Sequence, residues 1–441
     1  AKVISTEKDT DKRFYEEVIK EKKIDNVDFT IDDTTTFQSM VGFGGAFTES
    51  AAYNLSRVDE SVRDEAIKAY FDKDEGLGYT IGRVSIHSCD FSLNSYTYIE
   101  EGDTELKTFD ISRDLDLVIP LIKDSERHAN EPIQILASPW SPPAFMKSNN
   151  KMIKGGVLLP EYYDVWAKYY VKFIEEYRKQ DITLWGITVQ NEPAAVQRWD
   201  SCEYSAEQER DFVKNHLGPV MEKSGVDDVR ILIWDHNRDI MVERAKTVLE
   251  DKLANKYVWG TAFHWYVSEE FENVGKVHDL FPDKGLLFTE GCQEGGVHFN
   301  SWKTGERYAR NMIGDFNNWC QGYIDWNLFL DNTGGPNHVN NLCDAPIIVD
   351  IFPEKLIKQS SYYYVGHFSK FVRPEALRIG LTNKTDLQAV AFKNIDNSIA
   401  FIVLNETEED KTFSFQYKDK SYELNIKNNQ DLFLFCFVSR M

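Results

Sequence analysis

Two glutamates stand where a chain seldom leaves a carboxylate without a purpose. Glu192 closes the stretch WGITVQNEP (185–193), in which Trp185, Ile187 and Val189 alternate like a buried strand before Gln190, Asn191, Glu192 and Pro193 end it. Glu290 closes LLFTE (286–290) in the same manner. A pair of carboxyl groups brought together on separate strands suits general acid and base work or nucleophilic attack. In glycoside hydrolysis one carboxyl protonates the leaving oxygen, and the other attacks the anomeric carbon or activates water. An attacking carboxylate must stay ionised beside cations or hydrogen-bond donors, for which Arg83 and Tyr266 are the candidates. The acid must hold a proton near neutral pH, which burial or a neighbouring negative charge can arrange. Spacing alone does not say which glutamate takes which part.

The elements that must position these groups can be read from pattern. Eight apolar runs, MVGFGGAF, YTIGRVSIHS, IQILASPW, TLWGITVQN, VRILIWDHN, VWGTAFHWY, GLLFTEG and GYIDWNLFL, are separated by segments long enough for crossover helices. Residues 160–180 make one such helix, with Val165, Trp166, Tyr169, Tyr170, Phe173, Ile174 and Tyr177 on one stripe and Pro160 at its first turn. Eight strand–helix units predict an α/β fold, a (β/α)8 barrel over 39–372. From Leu387 the period changes to two. LQAVAFK and SIAFIVL flank a turn at Asp396-Asn397, and TFSFQYK, SYELNIK and LFLFCFV follow, which predicts antiparallel strands. VDFTI near the N-terminus has the same period. The expected side domain is therefore an antiparallel β-domain over 373–441, with the N-terminal segment 1–38 as the candidate to pair with it.

In a (β/α)8 barrel the C-terminal strand ends share one site. Those ends here carry Arg83 with Ser88-Cys89-Asp90, then Trp140, Asn191 and Glu192, and Asp235-His236-Asn237. His264-Trp265-Tyr266, Glu290 and Trp326-Asn327 complete the rim. Singly, each reads as a helix cap or a loop hydrogen bond; seven together point to a site. Trp140, Trp265, Tyr266 and Trp326 are expected as exposed aromatic faces, and Asp, Asn, Arg and His as directional partners. A sugar ring, with apolar C–H faces and hydroxyls, needs both. Asp235 and His236 are taken as rim hydrogen bonds, and Trp185 and Trp234 as packing.

Other chemistries are disfavoured. GFGGAF lacks the G-x-G-x-x-G spacing of a dinucleotide fingerprint, so its glycines are read as permitting a tight backbone and no cofactor is expected. His236 and His264 lack a metal-ligand spacing, so no metal is expected, and His264 is read as a structural or substrate hydrogen bond. Cys292 has no basic partner and is read as a small buried thiol. The formal net charge of −22 disfavours nucleic acid and anionic membranes as partners. No apolar run reaches the length of a membrane span, so integral membrane association is not expected. Six cysteines without a CxxC pair fit reduced thiols in a cytoplasm, with secretion the alternative if a leader was removed before Ala1.

Longer motifs run through most of the chain in a fixed order: GFGGAFTESAAYNLS (42–56), SCDFSLNSYTY (88–98), LASPWSPPAFMK (136–147), LWGITVQNEP, ERDFVKNHLGP (209–218), FHWY, LLFTEGC and DWNLFLDNTGGPNHVNNLCDAPIIVD (325–350). This series resembles glycoside hydrolase family 30, in particular its glucosylceramidase branch and bacterial relatives. The resemblance implies a (β/α)8 barrel with a side β-sandwich and a retaining hydrolase of terminal β-glucosyl residues, with a carbohydrate or glycoside as substrate. It makes Glu192 the acid/base and Glu290 the nucleophile. It gives Asn191 to the sugar 2-hydroxyl, Asp90, Trp140, Trp326 and Asn341 to the glycone, and Arg83 and Tyr266 to the surroundings of the nucleophile. The segment AAVQRWDSCEY after Glu192 is shorter than in the animal lysosomal enzymes, with Trp199 as the candidate stacking surface for the leaving group. β-1,6-Glucanase, β-xylosidase and β-fucosidase activities are the alternatives within the family, and a non-catalytic carbohydrate-binding protein is the alternative outside it.

Overall fold

The computed structural model describes residues 2–426 and the backbone of 431–437. All eight predicted runs form strands of one closed parallel barrel: β1 Gly42–Ala46, β2 Ile81–Ile86, β3 Gln134–Pro139, β4 Leu184–Thr188, β5 Arg230–Asn237, β6 Val258–His264, β7 Gly285–Glu290 and β8 Gly322–Asn327. The helix over Tyr163–Lys179 follows a short 3-10 turn at Pro160–Tyr162 and buries Trp166, Tyr169, Tyr170, Phe173, Ile174 and Tyr177. That stripe is the reason an otherwise polar segment becomes helical: it covers barrel strands on one side and leaves its charges in water.

The barrel interior is built in two layers of opposite character. Ile81, Leu136, Trp185, Leu232, Ala262, Leu287 and Ile324 form an apolar plug near the N-terminal ends. Further toward the C-terminal ends come Arg83, Ser138, Thr188, Asp235, His264 and Thr289, all fully buried. The first layer is the ordinary filling of such a barrel. Closure also depends on Gly44 in GFGGAF, because a Cβ there would stand 1.5 Å from the Ile81 carbonyl oxygen. A glycine is needed for β1 and β2 to approach this closely, which is the tight backbone expected of that motif.

The side domain is a nine-stranded sheet in which both ends of the chain interleave. Lys2–Thr6 lies antiparallel to Asp431–Phe437, and Phe29–Ser39 lies between Leu377–Asn383 and Lys411–Tyr417. Val3, Phe29, Ile379, Phe401, Phe413 and Phe415 pack its core. Asn397 adopts φ 66° at the turn expected there. The side chains of LFLFCFV, including Cys436, lie outside the described residues; Cys89, Cys202, Cys292, Cys320 and Cys343 are free and buried. Among the described residues no helix is long and apolar enough to cross a membrane. One element not expected is a three-stranded sheet, Phe329–Asp331, Ile347–Ile351 and Glu354–Lys358, which follows β8 and frames the loop bearing Asn341.

Candidate active site

At the C-terminal mouth of the barrel a cavity of about 230 Å³ is lined by Asp90, Trp140, Asn191, Glu192, Trp199, Tyr266, Glu290, Trp326 and Asn341, nine of the candidates named from sequence. Arg83 and His264 do not line it. They lie behind the carboxylates as part of the polar layer, and this follows from their places on the strands. Arg83 is two residues beyond Ile81 and His264 two beyond Ala262, so each points inward directly above the apolar plug.

The polar layer is one connected network. Arg83 Nη1 donates to Glu290 Oε2 at 2.6 Å, and its Nη2 donates to Asp235 Oδ2 at 2.8 Å and to Asn191 Oδ1 at 2.9 Å. Tyr266 donates its hydroxyl to Glu290 Oε1 at 2.8 Å, so both oxygens of Glu290 accept. Asp235 Oδ1 accepts from Thr289 at 2.6 Å and meets His264 Nε2 at 2.9 Å, while Thr188 donates to its Oδ2 at 2.6 Å. The other ring nitrogen of His264, Nδ1, lies 3.2 Å from Glu192 Oε1. One ligand atom from each of Glu192, His264 and Glu290 lies within 4.8 Å of the others. These three are the group that the described residues offer a metal ion, and each is already engaged within the network.

Burial opposes every charge here, and the shifts record which neighbour wins. Burial alone would raise Asp235, but Arg83 and His264 hold its carboxyl well below the usual range. Burial would discharge His264, but Glu290, Asp235 and Glu192 outweigh it and lift its pKa to about 9. Glu192, buried but bonded to the charged imidazole and close to His236, is held below its ordinary value. Burial, helped by the charge on Glu192, raises Glu290 in spite of His264 and Arg83. Asp90 is pushed up to about 8 by burial and by Glu290. Its Oδ2 accepts from Asn341 Nδ2 at 2.8 Å, and its buried Oδ1 has no partner among the described residues. An unpartnered oxygen in a cavity wall is a place for a ligand hydroxyl.

The aromatics divide. Trp140 and Trp326 stack on each other, 5.3 Å apart at 19°, and close one wall. Trp265 was expected at the rim but is turned into the core against Phe288 and Tyr308, because Tyr266, the next residue, takes the inward position. Asp235 and His236 do more than decorate a rim. Asp235 is the centre of the network, and His236 lines the cavity 3.9 Å from Glu192 Oε1. Strand alternation from Leu232 would put Trp234 inside and Asp235 outside. A bulge inverts this: Trp234 and Asp235 take φ 71° and 55°, and the pairing with β6 shifts between Trp234 and His236. Trp234 then packs outward under Arg244, and Asp235 turns inward. Glu192, at φ 48° with its N–H donating to the Asp235 carbonyl at 3.0 Å, is fixed by the same bulge.

Comparison with known proteins agrees with the architecture of a barrel and a side domain. Residues 40–372 match the glycosyl hydrolase family 30 TIM-barrel domain and residues 375–430 the glycosyl hydrolase family 30 beta sandwich domain. The lysosomal acid glucosylceramidase of Mus musculus is 35% identical over 413 residues, which span 89% of this chain and 80% of that one. The crystal structure of SrfJ from Salmonella typhimurium superposes with a TM-score of 0.95 at 35% identity, covering 99% of both chains. An endo-β1,6-glucanase superposes with a TM-score of 0.90 at 29% identity, covering 99% of this chain and 98% of that one.

Proposed function

This chain belongs to glycosyl hydrolase family 30 and is a glycoside hydrolase, and from that membership and the site geometry we propose that it is a retaining β-glucosidase of the glucosylceramidase type, acting on terminal β-D-glucosyl residues. The observation that carries the proposal is the approach of Glu192 and Glu290, whose nearest oxygens lie within 4.8 Å. Retaining glycosidases hold their carboxyl groups about 5–5.5 Å apart, whereas inverting ones leave about 6.5–9.5 Å for a water molecule. The pair therefore supports direct attack by one carboxylate.

The surroundings support Glu290 as nucleophile and Glu192 as acid/base. Both oxygens of Glu290 accept hydrogen bonds, from Arg83 and Tyr266, an arrangement that suits an ionised carboxylate. With Arg83 and His264 charged and Asp235, Glu192 and Glu290 ionised, the cluster carries one net negative charge. Shifting the His264 Nδ1 proton over 3.2 Å to Glu192 Oε1 makes Glu192 the acid without changing the proton count. The same shift removes together the His264 charge that lowers Glu290 and the Glu192 charge that raises it, and leaves Arg83 and Tyr266 to hold Glu290 ionised. His264 Nε2 remains a donor to Asp235. Glu290 then attacks the anomeric carbon while Glu192 protonates the departing oxygen, and Glu192 later takes a proton from the water that releases the sugar. Asn191, held by Arg83 through Oδ1, keeps its amide nitrogen for the sugar 2-hydroxyl, and Asp90 Oδ1 takes another hydroxyl.

The test is direct. Glu290→Gln should abolish hydrolysis of an aryl β-glucoside. Glu192→Gln should still be glycosylated by substrates with good leaving groups, and azide should restore its turnover. Proton NMR of the first-formed product should show the β-anomer. An α-anomer would exclude retention, and wild-type rates in both variants would remove the assignment. The similarity to an endo-β1,6-glucanase favours a β-1,6-glucan as second reading. A panel of nitrophenyl glucoside, xyloside and fucoside with gentiobiose, pustulan and glucosylceramide separates these substrates.

A further inference from the structure

The cavity is walled on one side by two loops from distant parts of the chain. The first follows Glu192 and carries Gln197, Arg198 and Trp199; the second follows the strand Phe329–Asp331 and carries Asn341. Each is fastened at its own root. In the first, Ser201 Oγ accepts from the N–H of Gly155 at 2.9 Å and of Gln197 at 3.1 Å, and Lys147 Nζ donates to the Ser201 carbonyl at 2.5 Å. In the second, Asn337 Oδ1 accepts from the N–H of Val339 at 3.2 Å and of Asn341 at 3.0 Å, while Asn337 Nδ2 donates to the Asn341 carbonyl at 2.6 Å.

Arg198 joins them. Its Nη2 donates to the Asn340 carbonyl at 3.1 Å and its Nη1 to the Val339 carbonyl. Its Cζ lies 5.4 Å from the Trp199 ring, and Trp199 and Asn341 both line the cavity. Arg198 is an exposed cation on a chain of net charge −22, yet among the described residues it pairs with no carboxylate. Its guanidinium spans two neutral carbonyls instead, a task that the planar fork of arginine performs and the point charge of lysine does not.

We propose that Arg198 is a specificity latch that keeps the site a pocket for one terminal sugar instead of a cleft open to a passing polysaccharide. The inference rests on the glucosidase reading and adds the size and character of the substrate. Gln197, Asn237 and Glu294, which line the cavity beside the catalytic pair, offer amide and carboxylate groups to a leaving group that bears hydroxyls. The favoured substrate is a short β-linked oligosaccharide attacked at its end.

Hydrogen exchange and product analysis on Arg198→Ala and Arg198→Lys test this. In Arg198→Ala, backbone exchange should rise at least about tenfold in both 195–201 and 337–342, because each loop loses its tie to the other. On β-1,6-gluco-oligosaccharides the unaltered protein should release glucose alone, while the variant should also release longer products from internal cleavage. Its kcat/KM for gentiobiose relative to an aryl β-glucoside should fall about tenfold, chiefly through KM. Arg198→Lys should recover little of either effect. Unchanged exchange in both segments, or glucose as the only product of Arg198→Ala, would overturn the latch. Failure of the unaltered protein to cleave any β-glucoside would instead overturn the function proposed above, and the exchange data would still decide whether the loops are tied.

Discussion

Asp235→Asn should injure stability and catalysis together, although Asp235 does not line the cavity. The asparagine side chain has the same shape, but one of its ends becomes an NH2 group. It must then face either Arg83 Nη2, now 2.8 Å from Oδ2, or His264 Nε2, now 2.9 Å from Oδ1. The threonine hydroxyls of Thr188 and Thr289 can turn to suit; a guanidinium cannot, and a charged imidazole cannot. Breaking a buried ion pair costs about 3–5 kcal/mol, and since Arg83 keeps Glu290 the lower end applies. At roughly 2 cal/mol/K of unfolding entropy per residue, about 3 kcal/mol in a chain of this length lowers Tm by about 3 °C. In catalysis, Arg83 loses the partner that aims it at Glu290, and His264 loses the one that aims it at Glu192. A share of two charge-assisted bonds, about 3–4 kcal/mol, corresponds to about 10²–10³ in kcat/KM. The pH dependence should change as well. His264, raised to about 9 in the folded state, gives stability that is fully present below its unfolded value near 6.5 and is lost as pH rises through 9. The total is at most about 3 kcal/mol. Without the Asp235 charge this alkaline decline should start at the same pH but be smaller and be complete at lower pH. Differential scanning fluorimetry from pH 6 to 9 and steady-state kinetics on an aryl β-glucoside measure all three effects. A variant within twofold of wild type in kcat/KM and within 1 °C in Tm would refute the reasoning.

Other outcomes follow from single contacts. Tyr266→Phe removes the 2.8 Å donor to Glu290 Oε1, which should slow glycosylation about 10–30-fold in pre-steady-state measurements; an unchanged rate would deny the bond a role. Asp90, lifted to about 8, keeps its proton in the fold long after the unfolded chain has lost it near 3.8, so it costs stability progressively as pH rises from about 4 to 8. Asp90→Asn should therefore gain Tm relative to wild type between pH 5 and pH 8, and a constant difference would contradict the assignment. Gly44→Ala drives a methyl group into the Ile81 carbonyl and should cost more than about 4 kcal/mol, seen as loss of soluble folded protein.

The barrel was legible in the sequence because its strands are buried on both faces and read as apolar runs, and the sandwich because its strands alternate. Glu192 and Glu290 were legible because each ends such a run. Asp235 escaped for a definite reason. VRILIWDHN reads as an unbroken strand, and nothing in its composition signals two consecutive left-handed residues of which neither is glycine. Arg83 was found as a neighbour of the nucleophile and His264 as a structural or substrate hydrogen bond, but the layer that joins them behind the cavity was not legible, since sequence gives the strand a residue occupies and not its depth along the barrel axis. Trp265 was misplaced for a related reason: adjacent residues face opposite ways, and pattern does not say which of Trp265 and Tyr266 has the inward side.

The interleaving of the two chain ends in the side sheet has a consequence for how the molecule is made. The strands Lys2–Thr6 and Phe29–Ser39 are made before the barrel, yet their partners Asp431–Phe437, Leu377–Asn383 and Lys411–Tyr417 are made after it. While the barrel is being made those early strands present unpaired edges, a state prone to wrong pairings. The barrel is contiguous and can close before the sandwich does, so the final pairing acts as a clasp on an already folded catalytic unit. Slow steps in maturation should therefore concentrate in the side domain and not around the site.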